Sequence, residues 1–325
     1  MGVLVLSSLL FHECHGASYL RQRNLDDECT ISIVNGENSL YHIQSSPVTC
    51  PSKDMIVSDV MDYMIVNSGL VLDADKISWN SSDRELTTQG CLTLDATDTV
   101  VFTEMMMSEW EYADTPPSLS VTAANTVNFQ PGTNFFNIYG FSVQAPTVEL
   151  NSGFWLKSQN DGIAEILFGH SFYFDKDATM NSESASDGSA AAILIRDLGQ
   201  PATAQLDGTM SGDTLSIMGE STDITISSSA VLSSLTSFSI RGNTIFMDSP
   251  NVVSEDEYGG ILIEATDSLT FGTNSVVRVT QSDANIQISA SSLVIDSGAR
   301  FEGVCGGSGR VVFPDKPPQQ FTNCQ

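Results

Sequence analysis

The stretch Gly259–Thr280, GGILIEATDSLTFGTNSVVRVT, holds two short runs in which every second residue is apolar. Ile261 and Ile263 form the first, Leu269 and Phe271 the second, with Ala265 and polar turn residues between them. This doublet recurs along most of the chain. The first pairs are Leu92/Leu94, Leu119/Val121, Phe141/Val143, Ile166/Phe168, Ile193/Ile195, Leu215/Ile217, Phe238/Ile240, Ile261/Ile263 and Ile286/Ile288. The second pairs run from Val100/Phe102, Val127/Phe129 and Val148/Leu150 through Phe172/Phe174, Ala204/Leu206 and Ile224/Ile226 to Ile245/Met247, Leu269/Phe271 and Leu293/Ile295. With the second member of each first pair as marker, the steps are 27, 22, 25, 27, 22, 23, 23 and 25 residues.

A third apolar element follows in most units: Phe154/Leu156, Met180, Met210, Val231, Val252, Val277/Val279 and Phe301. Three short strands repeating about every 24 residues describe one coil of a parallel β-solenoid. The expected fold is all-β, a single-stranded parallel β-helix of about nine coils. A period of two puts one set of side chains inside and the other in water. Abundant Ser, Thr and β-branched residues also argue against helix. A meander of hairpins would show two-residue Asn-Gly or Asp-Gly loops, and none is read as joining these strands. Arg196, Met218, Arg241 and Glu264 each follow their marker by one residue. They are expected in one outward column, with Arg241 and Glu264 paired across neighbouring coils.

The repeat spans residues 92–304. Residues 19–91 are less regular and read as an N-terminal cap or first coils. Residues 305–325 read as a C-terminal cap or the truncated continuation of a longer surface protein. Before these, Val3 to Phe11 is a mostly apolar run followed by Gly16, Ala17 and Ser18. Residues 1–18 therefore read as a signal peptide, too short to span a bilayer. No later run of 18 apolar residues exists in the chain.

Removing that leader takes Cys14 and leaves Cys29, Cys50, Cys91, Cys305 and Cys324. Local pairs Cys29–Cys50 and Cys305–Cys324 would pin the two ends, with Cys91 left over. Asn80 opens the sequon Asn80-Ser81-Ser82, a glycosylation acceptor in a secreted chain. The charge balance, 13 basic against 40 acidic residues and a net of −27, disfavours nucleic acid and anionic lipid surfaces. Protein and glycan surfaces remain as partners.

The chain resembles the right-handed parallel β-helix superfamily, the pectin-lyase-like group of polysaccharide lyases, glycoside hydrolases and surface adhesins. Gly259-Gly260-Ile261 followed by Phe271-Gly272-Thr273-Asn274 is similar to the GGA-I and F-x-x-N repeats of polymorphic outer-membrane-type adhesins, without the Ala. That resemblance implies a secreted or cell-surface structural or adhesive role. The alternative on the same fold is a polysaccharide lyase or glycoside hydrolase.

Such an enzyme needs two suitably spaced carboxylates, or several acids with basic partners. The best local candidate is GHSFYFDKD, with His170, Asp175 and Asp177. Gly169-His170 weakly resembles part of the Gly-His-Gly element of pectin hydrolases, but the paired Asp-Asp and Arg-x-Lys elements are absent. Asp175 and Asp177 read more simply as a solvated turn. No catalytic residue, cofactor or metal site is assigned: the chain has no P-loop, dinucleotide glycine motif, zinc-ligand spacing or calcium nonapeptide.

Overall fold

A computed structural model describes residues 22–24, 28–32, 41–42, 48–58, 64–65, 70–80, 85–88, 91–103, 105–109, 117–182, 191–255, 260–321 and 323–324. The segment read as a signal peptide lies outside the described residues. Within them the chain is all-β with no helix, a parallel β-solenoid. Nearly every pairing is parallel. The exceptions are Gln22–Asn24, antiparallel to Glu28–Ser32, and an antiparallel bridge between Val311 and Gln319.

Each turn of the chain lays down three strands, so the rungs stack in three columns. In the first column Leu94 lies opposite Val121, and Val121 opposite Val143. Ile195, Ile217, Ile240, Ile263 and Ile288 continue the same register. In the second column the doublet Val100/Phe102 faces Val127/Phe129, and every later second pair follows in phase to Leu293/Ile295. The third column carries Met107, Phe135, Leu156, Met180 and Met210. The columns also reach back towards the N-terminus: Leu70–Asn80 pairs with Cys91–Thr103, and Val48–Ser58 with Leu70–Asn80.

Burial explains why the doublets form these strands. Strand Thr126–Phe129 alternates between half-buried and buried residues, and strand Ala202–Leu206 between buried and exposed ones. Alternation places each apolar residue on the inner face, where it meets its counterparts one rung, or about 4.8 Å, above and below. All nine markers are buried, in one continuous core.

Two positions differ from the expected register. Val143 lies opposite Ile166, and Ile166 opposite Ile195, so Phe168 sits two residues further on, opposite Ala145. Ala164, Ile166 and Phe168 are all buried, and all share one phase of alternation. Periodicity therefore cannot select the in-register residue. The pairing sets small Ala164 between bulky Phe141 and Ile193, which fills the interior without overpacking. In the third column the inward residue is Leu232 rather than Val231, which is 37% exposed.

The corner between the second and third columns shows how the coil closes. Its first residue donates its N–H to the rung before, as Gln130 does to the Phe102 carbonyl (2.9 Å), Asn151 to Phe129 (3.0 Å) and Asp175 to Leu150 (3.0 Å). One corner contains an Asp-Gly dipeptide, Asp207-Gly208, between strands Ala202–Leu206 and Thr209–Met218. A hairpin does not result, because each strand pairs in parallel with different partners. Glycine is required there for space. A Cβ on Gly208 would lie 2.4 Å from the Asp175 carbonyl oxygen and 2.5 Å from that of Ala178.

Candidate functional site

His170 and the acids assigned with it sit at different corners. Opposite Pro146 the chain carries both Gly169 and His170, between the pairs Ala145–Phe168 and Thr147–Ser171. This extra residue places exposed His170 at the corner between the first and second columns. Asp175 opens the next corner, beyond the paired segment 171–174. Four extended residues at about 3.3 Å each separate the two by roughly 13 Å or more. The fold does not bring His170 onto the carboxylates.

Both carboxylates are engaged at their corner, one by its own turn and the other by the preceding rung. Asp175 Oδ1 accepts the Asp177 backbone N–H (3.1 Å), and Oδ2 accepts the Tyr173 hydroxyl (3.0 Å). The Ala178 N–H closes the turn on the Asp175 carbonyl (3.0 Å). Asp177 Oδ2 accepts Ser152 Oγ from the preceding rung (3.2 Å). This is the aspartate-capped turn that Asp favours because its side chain can satisfy nearby backbone N–H groups. Burial, followed by the hydrogen bond that the hydroxyl donates to the Asp175 carboxylate and by that carboxylate's charge, pushes the Tyr173 phenol above its ordinary value.

The adhesin-like element has a turn function too. Phe271 is buried, and Ser275 N–H bonds back to the Gly272 carbonyl (3.1 Å). Asn274 holds a left-handed φ of 73°, a conformation Asn tolerates better than most residues. Gly132 and Gly153 occupy the matching place in two earlier corners, with φ of 88° and 75°. The F-x-x-N spacing therefore follows from strand end plus turn.

Other outward polar residues connect rungs. Arg241 Nε lies 2.8 Å from Glu264 Oε2, the expected pair, both side chains about two-fifths exposed. Such a pair is worth at most about 1 kcal/mol. Arg196 instead approaches Glu165 (3.6 Å). At the corner between the first and second columns, Asn243 Nδ2 donates to Asp223 (3.1 Å), Thr266 Oγ1 to Asn243 Oδ1 (3.1 Å) and Ser291 Oγ to the Thr266 carbonyl (2.7 Å). That is an unbroken ladder across four rungs. Nearer the N-terminus, Asn125 Nδ2 donates to Asp98 Oδ1 (2.7 Å). This bond, with weaker help from Thr99 and Lys76, outweighs desolvation and holds the Asp98 carboxyl below its usual range.

Two features escaped the sequence reading. Asp213 is buried, and its Oδ2 accepts the Ala191 N–H (3.1 Å) from the neighbouring rung. Glu302 is buried as well, held by Arg278 through Nε (2.8 Å) and Nη2 (2.7 Å). An acid at an expected outward position gives no sign in sequence that its neighbours cover it.

Cys91, the cysteine left over in the expected pairing, is disulfide-bonded, and so is Cys305. Cys14 and the side chains of Cys29, Cys50 and Cys324 lie outside the described residues. Asn80 is exposed at the end of strand Leu70–Asn80. Among the described residues no three His, Cys, Asp or Glu side chains converge as metal ligands, and no helix is long and apolar enough to cross a membrane. Compared with family models, curated proteins and solved structures, the chain matches none.

Proposed function

We propose that the protein is a structural and adhesive β-solenoid of the cell exterior, meeting proteins or glycans along its polar outer faces. One observation carries this reading. The outward acids, amides and hydroxyls described above are engaged in turns and rung-to-rung bonds, and the one His–carboxylate grouping is divided between two corners. A glycosidase or lyase needs such groups converging on substrate. A binding surface needs only rigidity and repetition, and affinity spread over many coils.

The same reading places the chain nearer the adhesin-type repeats than the enzymes of the pectin-lyase-like superfamily, since its best-matching element serves a corner turn. An oxidising location is supported by the disulfide-bonded Cys91 and Cys305. Cys324 is proposed as the mate of Cys305, because its backbone lies opposite Gly303, two residues before Cys305.

The test assays purified protein against acidic and neutral polysaccharides for reducing ends and unsaturated products. No turnover is expected, and binding to glycan or protein surfaces should survive His170→Ala and Asp175→Asn. Turnover abolished by His170→Ala, with the circular dichroism unchanged, would replace this reading with the enzyme. A separate expectation concerns Asn80. Material secreted from a glycosylating host should shift in gel mobility on enzymatic deglycosylation, and Asn80→Gln should remove the shift. An unshifted wild-type band would count against an exported, glycosylated chain.

A further inference from the structure

Cys91 is disulfide-bonded, and the register of the strands limits which cysteine can reach it. A disulfide requires Cα atoms about 4.4–6.8 Å apart, and rungs stack about 4.8 Å apart. Cys91 opens strand Cys91–Thr103. Cys50 stands opposite Ala74, and Ala74 opposite Ala96, so Cys50 lies two rungs away, about 9.6 Å along the axis before any offset along the strand. Cys29 stands opposite Met55, Met55 opposite Ile77 and Ile77 opposite Val100, three rungs away and about 14 Å. Cys305 and Cys324 belong to the far end. From Leu92 the first column runs through eight further rungs to Ile286 before the chain reaches either, roughly 38 Å. Of the six cysteines, Cys14 alone is left to bond Cys91.

The direction in which Cys91 faces agrees. Leu92 and Leu94 are buried, and Cys91 stands half-buried in the opposite phase of the same strand. Its sulfur therefore faces outward, toward chain that passes outside the stack rather than toward the core. Keeping Cys14 also makes the count even, so that no thiol is left over beside Cys29, Cys50, Cys305 and Cys324.

We propose that Cys14 and Cys91 form a disulfide that clamps the N-terminal end of the solenoid. It forms by thiol–disulfide exchange: the two thiols lose two protons and two electrons to a disulfide oxidant, which leaves as two thiols. The described strands before Cys91, from Gln22–Asn24 to Glu85–Thr88, all lie between the bridged residues. The closed loop therefore holds the rungs at this end. Coils are stabilised by their neighbours, and those near an end have fewer of them, so a covalent constraint there limits fraying that stacking prevents in the middle. A leader cut after residue 18 would remove the mate, and the bridge requires that any processing end before Cys14. This clamp is independent of what the outer faces bind.

The test maps disulfides in the full chain after folding in a glutathione redox buffer, alkylation without reductant and trypsin digestion. The sequence separates the candidates: Cys14 falls on a peptide ending at Arg21, Cys29 and Cys50 share residues 24–53, and Cys91 falls on residues 85–157. The expected product joins the first of these to the last and is lost on reduction. Cys14→Ser should leave Cys91 open to alkylation, and Cys29→Ser should not. Amide exchange gives a second readout. In Cys14→Ser, residues 48–58 and 70–80 should exchange at least about ten-fold faster, with residues 260–271 unchanged. Residues 85–157 joined to 24–53, a reducible dimer through Cys91, or an alkylated Cys91 in the unaltered protein would each overturn the bridge. So would exported material whose first residue lies beyond Cys14. Unchanged exchange at 48–58 and 70–80 would overturn the clamp.

Discussion

Phe129→Ala is expected to destabilise the solenoid by about 3–5 kcal/mol, the usual cost of removing a fully buried aromatic ring. Phe129 is 0% exposed. It stacks on Phe102 with ring centroids 4.7 Å apart and planes 3° from parallel. Phe154, Phe141 and Phe135 approach it at 5.3, 5.7 and 5.8 Å. These five rings come from three adjacent rungs and all three columns, so the cavity would open where coils are joined. Coils bury their faces only against one another, which spreads the loss over the neighbouring rungs. Urea unfolding followed by circular dichroism measures it, with Phe246→Ala as the comparison. Phe246 lies in the same column but points outward and is 42% exposed, so its removal should change stability by less than about 0.5 kcal/mol. Equal losses for the two variants would mean that the inward and outward phases are wrongly assigned.

Arg278→Ala is expected to cost about 1–3 kcal/mol, more than an exposed ion pair, because it strands a carboxylate. The Glu302 side chain is 10% exposed and that of Arg278 30%. Arg278 Nε and Nη2 both reach Glu302 Oε2, while Arg300 Nε stands off at 3.6 Å from Oε1. Among the described residues, truncating the arginine leaves the buried acid with that longer contact. Replacing both members, Arg278→Met with Glu302→Gln, should recover part of the loss, since no unpaired charge then remains. A double-mutant cycle in urea separates these terms. A single-variant loss below about 0.3 kcal/mol would place the pair with ordinary surface bridges.

What was legible in the sequence is the alternation and its recurrence. Val100/Phe102 and every later second doublet stand in the register that spacing alone implies, because Ser, Thr or Asp precedes each and a polar residue or Gly follows it. The outward column Arg196, Met218, Arg241, Glu264 follows from the same counting. Of the candidate site, the turn character of Asp175 and Asp177 was legible too, since short acids near a strand end cap their own backbone. Where three alternate residues are apolar, as at Ala164, Ile166 and Phe168, local pattern leaves the register open. It was decided by the volumes waiting on the neighbouring rungs.

The burial of Asp213 and Glu302 and the engagement of Cys91 depend on which rung passes beside them, and spacing within one coil carries no record of that. The separation of His170 from Asp175 is also tertiary: residues five apart in sequence become the two ends of a strand once that strand is straight. So is the exposure of Ile295, at a position that is buried on the preceding rungs. Alternation is a property of one strand, and the sequence determined it. Adjacency is a property of several strands packed together, and the tertiary structure decided it.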